Sequence, residues 1–261
     1  MNYFDDEMNI LDFLKLPFGQ CVTFPSNSKK CTELYNSLID DAKFQEWVNS
    51  SGKADPPPDF YNPDTFMMMD VMRIDDHGYV NDRGKIINPV NQRESKIQKE
   101  IRQSELFKLF PNIQSVIVNA VTDLPSEEDH NFKFYFKGFK RTVEKHMESI
   151  PLYKENHPGY STVFYIFDES SEYVLAESEV QAKQTVRAGE MIYYSPYSPF
   201  FDKRFIKVFI DSEIDYVIWH APYHFNLDIP EIPTIGIYDV KNINLSDFED
   251  FPETLIMSTE E

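Results

Sequence analysis

Two aspartates, Asp59 and Asp70, stand eleven residues apart in the stretch PPPDFYNPDTFMMMDVMR, Pro56 to Arg73. Asp70 interrupts an apolar, strand-like run, where an unpaired ionised carboxylate is costly to desolvate. Read structurally, it pairs with a nearby cation or lies on an edge strand. A second group of candidates follows the expected strands, since ligands in open parallel sheets collect outside the carboxyl ends. Those ends carry Asp75, Asp76 and His77, then Asp123, then Asp168 and Glu169, and finally His220. Carboxylate and imidazole together can bind a transition metal. Acids after strands are also ordinary turn formers and helix caps, and that reading is adopted for them. Asp76-His77 and Asp129-His130 lack metal-ligand spacing such as HExxH, and Pro222 interrupts any helix that would align His220 with His224. The histidines therefore read as structural, His146 among them, at the edge of an apolar helix stripe.

A Pro-Asp pair, a short gap and an acid within a hydrophobic strand resemble the PD-(D/E)XK nuclease superfamily. Pro58-Asp59 matches the Pro-Asp, Asp70 matches the second acid, and Met72 occupies the lysine position. The order of elements over roughly residues 30–168 is similar to the family as well. The resemblance implies that Asp59 and Asp70 are catalytic and hold Mg²⁺ or Mn²⁺, hard cations that take oxygen ligands and keep several waters. Such an ion activates water against a phosphodiester. Glu33 or Glu46 on the leading helix would add a further ligand. Methionine can neither orient water nor offset developing charge. Arg73 is the nearest cation, but alternation along a strand puts Asp70 and Met72 on one face and Arg73 on the other. Lys96 and Lys99 on the following helix are the candidates to replace the lysine. Three readings stay open: a metal-dependent nucleic-acid phosphodiester hydrolase, a catalytically weakened nucleic-acid-binding derivative, and an unrelated α/β protein.

One helix is legible in detail. Phe132, Phe136, Phe139, Val143, Met147 and Ile150 form a single stripe at helical spacing, while Lys133, Lys137, Lys140, Arg141 and Lys145 fall outside it. Lys137, Arg141 and Lys145 make an i,i+4 row that can follow phosphates. The alternative is a solvated face with pairs such as Lys140 and Glu144.

These residues need a frame. An amphipathic helix is expected from Ser28, as N-cap, to Val48, and is broken by SSGKADPPPD. The strand TFMMMDVMRI follows, with a return strand at Lys85–Ile87. A helix is expected over Arg93–Phe110, a buried strand at SVIVNAVT, a long helix at about 132–154 and a buried strand at STVFYIFDES. EMIYYSP, DYVIWHAP and TIGIYDV read as strands, with a helix over Asp202–Ile210. This alternation gives an α/β class, a mixed central sheet flanked by helices with a nuclease-like core and a C-terminal extension. Residues 1–28 are a lead-in segment, 29–240 a single domain, and 241–261 a loose acidic tail.

Composition narrows the function. The chain has 261 residues, 41% of them hydrophobic, which supports a packed globular protein. Its 8 glycines include no GxGxxG or GxxxxGK[ST], so classical nucleotide loops are not expected. The net charge of −19 repels polyanions at long range, so nucleic acid must dock on a local basic surface. The rival is a non-enzymatic acidic adaptor or inhibitor that meets a basic protein partner. Two cysteines, an acidic start and the lack of a long apolar run read as a reduced, cytoplasmic protein without membrane contact.

Overall fold

The two central apolar runs form the middle of a seven-stranded mixed sheet. The computed structural model describes residues 7–15, 20–50, 58–80, 83, 86–104, 109–110, 130–183, 194–224 and 232–259. From one edge the order is β1 (Gln20–Phe24), β11 (Pro233–Asp239), β10 (Tyr216–His220), β7 (Ser161–Asp168), β4 (Met67–Ile74), β3 (Phe60–Asn62) and β2 (Val48–Asn49). β4, β7 and β10 are mutually parallel, and β1 is parallel to β11. The remaining pairings are antiparallel. β7 is buried along nearly its whole length, as its continuous apolar sequence requires with both faces covered.

Alternation along each strand divides its side chains between two cores. Met72, Ile74, Phe164, Ile166 and Trp219 pack on the face covered by α5 (Phe132–Met147). Met69, Val71, Val163 and Tyr165 pack on the other, under α1 (Glu7–Leu14) and α2 (Lys29–Ile39). Helices therefore cover both faces, and Asp70 and Met72 share the α5 side as strand parity requires.

Several boundaries differ from expectation for local reasons. The helix expected from Ser28 to Val48 begins as predicted, with the Ser28 side chain accepting from the Cys31 N–H. It ends at Ile39, because the Asp40 carboxylate caps Ala42 and Lys43 and starts the separate α3 (Asp41–Phe44). The helix expected over Arg93–Phe110 is α4 (Pro89–Gln103), which starts earlier because proline is tolerated in a first turn. The long helix at 132–154 divides into α5 and α6 (Ile150–Asn156) at Pro151, which has no N–H to continue the ladder. Asp202–Ile210 keeps only one turn, α7 (Lys203–Ile206), capped by Asp202. The return strand appears as β6 (Ile86–Ile87), paired with β5 (Tyr79–Val80).

The C-terminal stretch is not loose. β12 (Ile256–Ser258) pairs with β8 (Tyr173–Leu175), which pairs with β9 (Ser195–Tyr197), in a separate three-stranded sheet. Phe248 and Ile256 join the α5-side core. β1 lies within the segment read as a lead-in, yet it forms an edge of the main sheet. The strand expected at SVIVNAVT and Asp123 lie outside the described residues. No helix among the described residues is long and apolar enough to cross a membrane.

Candidate functional site

β3 and β4 form a short hairpin whose register sets the geometry of Asp59 and Asp70. The Asn62 side chain accepts from the backbone N–H groups of Asp64 and Thr65, which fixes the turn. Phe60 then pairs with Met69, so one step further Asp59 lies opposite Asp70. The Asp59 Oδ2 accepts from the Val71 N–H at 2.8 Å. Burial, reinforced by the charge of Asp70 and a hydrogen bond shared with it, pushes the Asp59 carboxyl up to about 7. Its proton belongs to the pair.

Asp70 is only 4% exposed and finds its partners on the covering helices. His146 of α5 places Nδ1 2.6 Å from Asp70 Oδ2, and the Tyr153 hydroxyl of α6 lies 3.2 Å from the same oxygen. The imidazole is the donor in this bond when its Nδ1 carries the proton. A divalent ion would find two hard oxygen ligands facing each other, and its binding would release the proton the pair holds.

The other residues implied for this centre are not assembled with it. Met72 is 2% exposed and packed into the α5-side core. Lys96 and Lys99 have exposed side chains on α4, and among the described residues no lysine or arginine pairs with Asp59 or Asp70. Arg73 turns to the opposite face and forms an ion pair with Glu169 at 2.6 Å. Burial pushes Glu169 up to about 7 although the Arg73 guanidinium pulls the other way. Glu33 and Glu46 are both exposed, and Glu33 lies 3.5 Å from Lys29. On α5, Lys137, Arg141 and Lys145 are exposed in a row, and Lys140 meets Glu144 at 3.7 Å. The buried stripe is Phe132, Tyr135, Phe139 and Val143, with Phe136 and Met147 at its edges.

The strand-end residues divide into two groups. Asp168, fully buried, accepts from Tyr135 and Trp219 through Oδ2 and from the Ser170 N–H through Oδ1. His220 bonds the Tyr165 hydroxyl, and burial lowers its pKa to about 3. His224 bonds Ser170. These groups are buried and hydrogen-bonded within the core. Asp76, His77 and His130 behave otherwise, because they offer ligand atoms within 4.8 Å of one another. Asp76 Oδ1 lies 3.2 Å from His130 Nδ1, while Oδ2 accepts from the Ser171 N–H and hydroxyl and from Tyr173. Burial would raise the Asp76 carboxyl, but His130, Ser171 and His77 outweigh it and hold it at about 2.

Sequence reasoning missed two partners, His146 for Asp70 and His130 for Asp76. Both approach across more than fifty residues of chain, so no local spacing marks them. The available signal was the placement of a histidine near each end of α5. No protein-family model, curated protein or solved structure matches the chain.

Proposed function

We propose that this protein binds nucleic acid through the outer face of α5 and carries a divalent-metal phosphodiester-hydrolase centre, Asp59 and Asp70, weakened by the loss of the motif lysine. The observation that supports this best is the hairpin register that sets the two carboxylates opposite each other. Mg²⁺ or Mn²⁺ held there would supply a metal-activated water. Asp59 and Asp70 provide its oxygen ligands, and His146 fixes the orientation of Asp70. Lys137, Arg141 and Lys145 neutralise backbone phosphates without reading sequence. Met72, buried in place of the lysine, favours the weakened form over an efficient nuclease.

Fluorescence anisotropy with labelled single- and double-stranded oligonucleotides at two salt concentrations tests the binding surface. Affinity should fall as salt rises through counterion release, and the Lys137→Glu, Arg141→Glu, Lys145→Glu variant should bind more weakly with a shallower salt slope. Millimolar Mn²⁺ should raise the melting temperature, a shift abolished in Asp59→Ala, Asp70→Ala. Cleavage should be slow and lost in Asp70→Ala. If the wild type does not bind even at low salt, the net charge of −19 makes an acidic adaptor for a basic protein the better reading.

A further inference from the structure

We propose that Asp76, His77 and His130 form a second metal site, for a first-row transition cation of the Zn²⁺ type, separate from the Asp59–Asp70 pair and independent of the nucleic-acid reading. The donor set is one carboxylate and two imidazoles, the combination that favours such cations over Mg²⁺. Ligand atoms about 2.1 Å from one ion stand roughly 3–3.5 Å apart. The 3.2 Å between Asp76 Oδ1 and His130 Nδ1 already has that value. The three ligand atoms lie within 4.8 Å of one another, so side-chain rotation can close the set.

The carboxylate is built for one outward oxygen. Asp76 is 1% exposed, and three donors from Ser171 and Tyr173 occupy Oδ2, leaving Oδ1 directed at His130. Outer partners of this kind orient a ligating carboxylate. The Tyr173 hydroxyl also lies 3.1 Å from the His130 carbonyl oxygen, so one side chain braces both ligand residues. The neighbouring Asp75 is engaged by Asn88 through both carboxylate oxygens and does not compete. Three protein ligands leave at least one coordination position for water or a small ligand. A cavity of about 270 Å³ lined in part by His130, Lys133, Lys183 and Ser258 borders the site at His130. The positive end of α5, which begins two residues after His130, disfavours a bare cation, so affinity must come from the imidazoles.

Isothermal titration of the chelator-treated full chain with ZnCl₂ tests this. One Zn²⁺ should bind per chain at micromolar or lower concentration, with no competition from millimolar Mg²⁺. His77→Asn and His130→Asn, each checked for folding by circular dichroism, should weaken binding at least tenfold. Asp59→Ala, Asp70→Ala should leave it unchanged. Zinc-edge X-ray absorption of the wild type, which needs no variant, should report two imidazole ligands and no sulfur. Absence of saturable Zn²⁺ binding, full retention of binding in both folded histidine variants, or a ligand shell without two imidazoles overturns the proposal.

Discussion

At the scale of single residues, a carboxyl inside the β3–β4 hairpin is tolerated because it shares its proton and its charge. Asp59 has its pKa raised from 3.8 to about 7, so between those values the folded chain holds a proton that the unfolded chain has released. Folding stability contributed there is present at acid pH and falls as pH rises through that window. Asp59→Asn keeps an acceptor for the Val71 N–H and a donor for Asp70 at every pH. It should stabilise the fold by about 1–2 kcal/mol at pH 8 and by little at pH 5, measured by urea unfolding at both values. Equal effects at the two pH values would refute the shared-proton account. Met72 behaves in the opposite sense. Its 2% exposure makes it part of the core, so Met72→Lys buries an ammonium rather than restoring a catalytic lysine. A loss of about 3 kcal/mol or more is expected, with no gain in cleavage. A folded, more active Met72→Lys would show that the strand face can open towards the carboxylates.

At the scale of elements, α5 explains why two histidine–aspartate pairs exist. α5 advances about 24 Å at 1.5 Å per residue, with His146 in its last turn and His130 just before its N-cap, and β4 covers about 26 Å at 3.3 Å per residue, with Asp70 inside it and Asp76 two residues past its end. Laid antiparallel on β4, the helix therefore brings His146 to Asp70 and His130 to Asp76. The position of α5 on β4 can be tested at Gly138, whose added Cβ would meet the Asp75 carbonyl oxygen at an ordinary 3.8 Å. Gly138→Ala should thus gain about 0.5–1 kcal/mol from helix propensity, read as a rise in melting temperature. A fall would mean that the helix lies closer to β4 than this. The stripe of α5 and the strands β4 and β7 were legible because local periodicity encodes them. Tyr135 escaped the predicted stripe because its hydroxyl disguises a fully buried ring that bonds Asp168. The breaks at Asp40 and Pro151 were present as residue types, but periodicity ran across both. The pairing of helix ends with strand positions was not legible, because it depends on which face of the sheet each helix crosses.

At the scale of the whole molecule, buried carboxyls and net charge both act against the folded state at alkaline pH, and they can be separated. Asp59 and Glu169 both have pKa values raised to about 7, so each removes stability as pH rises towards 8. His220, lowered to about 3, and Asp76, held at about 2, act at the other end. The neutral His220 favours the fold above the histidine range and loses that contribution as pH falls below 6.5, while Asp76 is lost only in strong acid. Across pH 4.5–6.5 His220 offsets only one of the two acids, so the melting temperature should fall gently as pH rises. Above pH 6.5 His220 is neutral in both states, and the carboxyls alone should make the melting temperature fall. The charge of −19 predicts a fall as well, through self-repulsion. Repulsion between exposed charges is screened at 0.5 M NaCl, where the Debye length is about 4 Å, whereas desolvation of a buried carboxyl is not. Melting curves at pH 6 and 8, in 0.05 M and 0.5 M NaCl, should retain most of the fall at high salt, and Asp59→Asn should reduce it at both. If salt alone abolishes the fall, surface repulsion is its cause, and the Asp59–Asp70 pair is ionised with little strain in the fold.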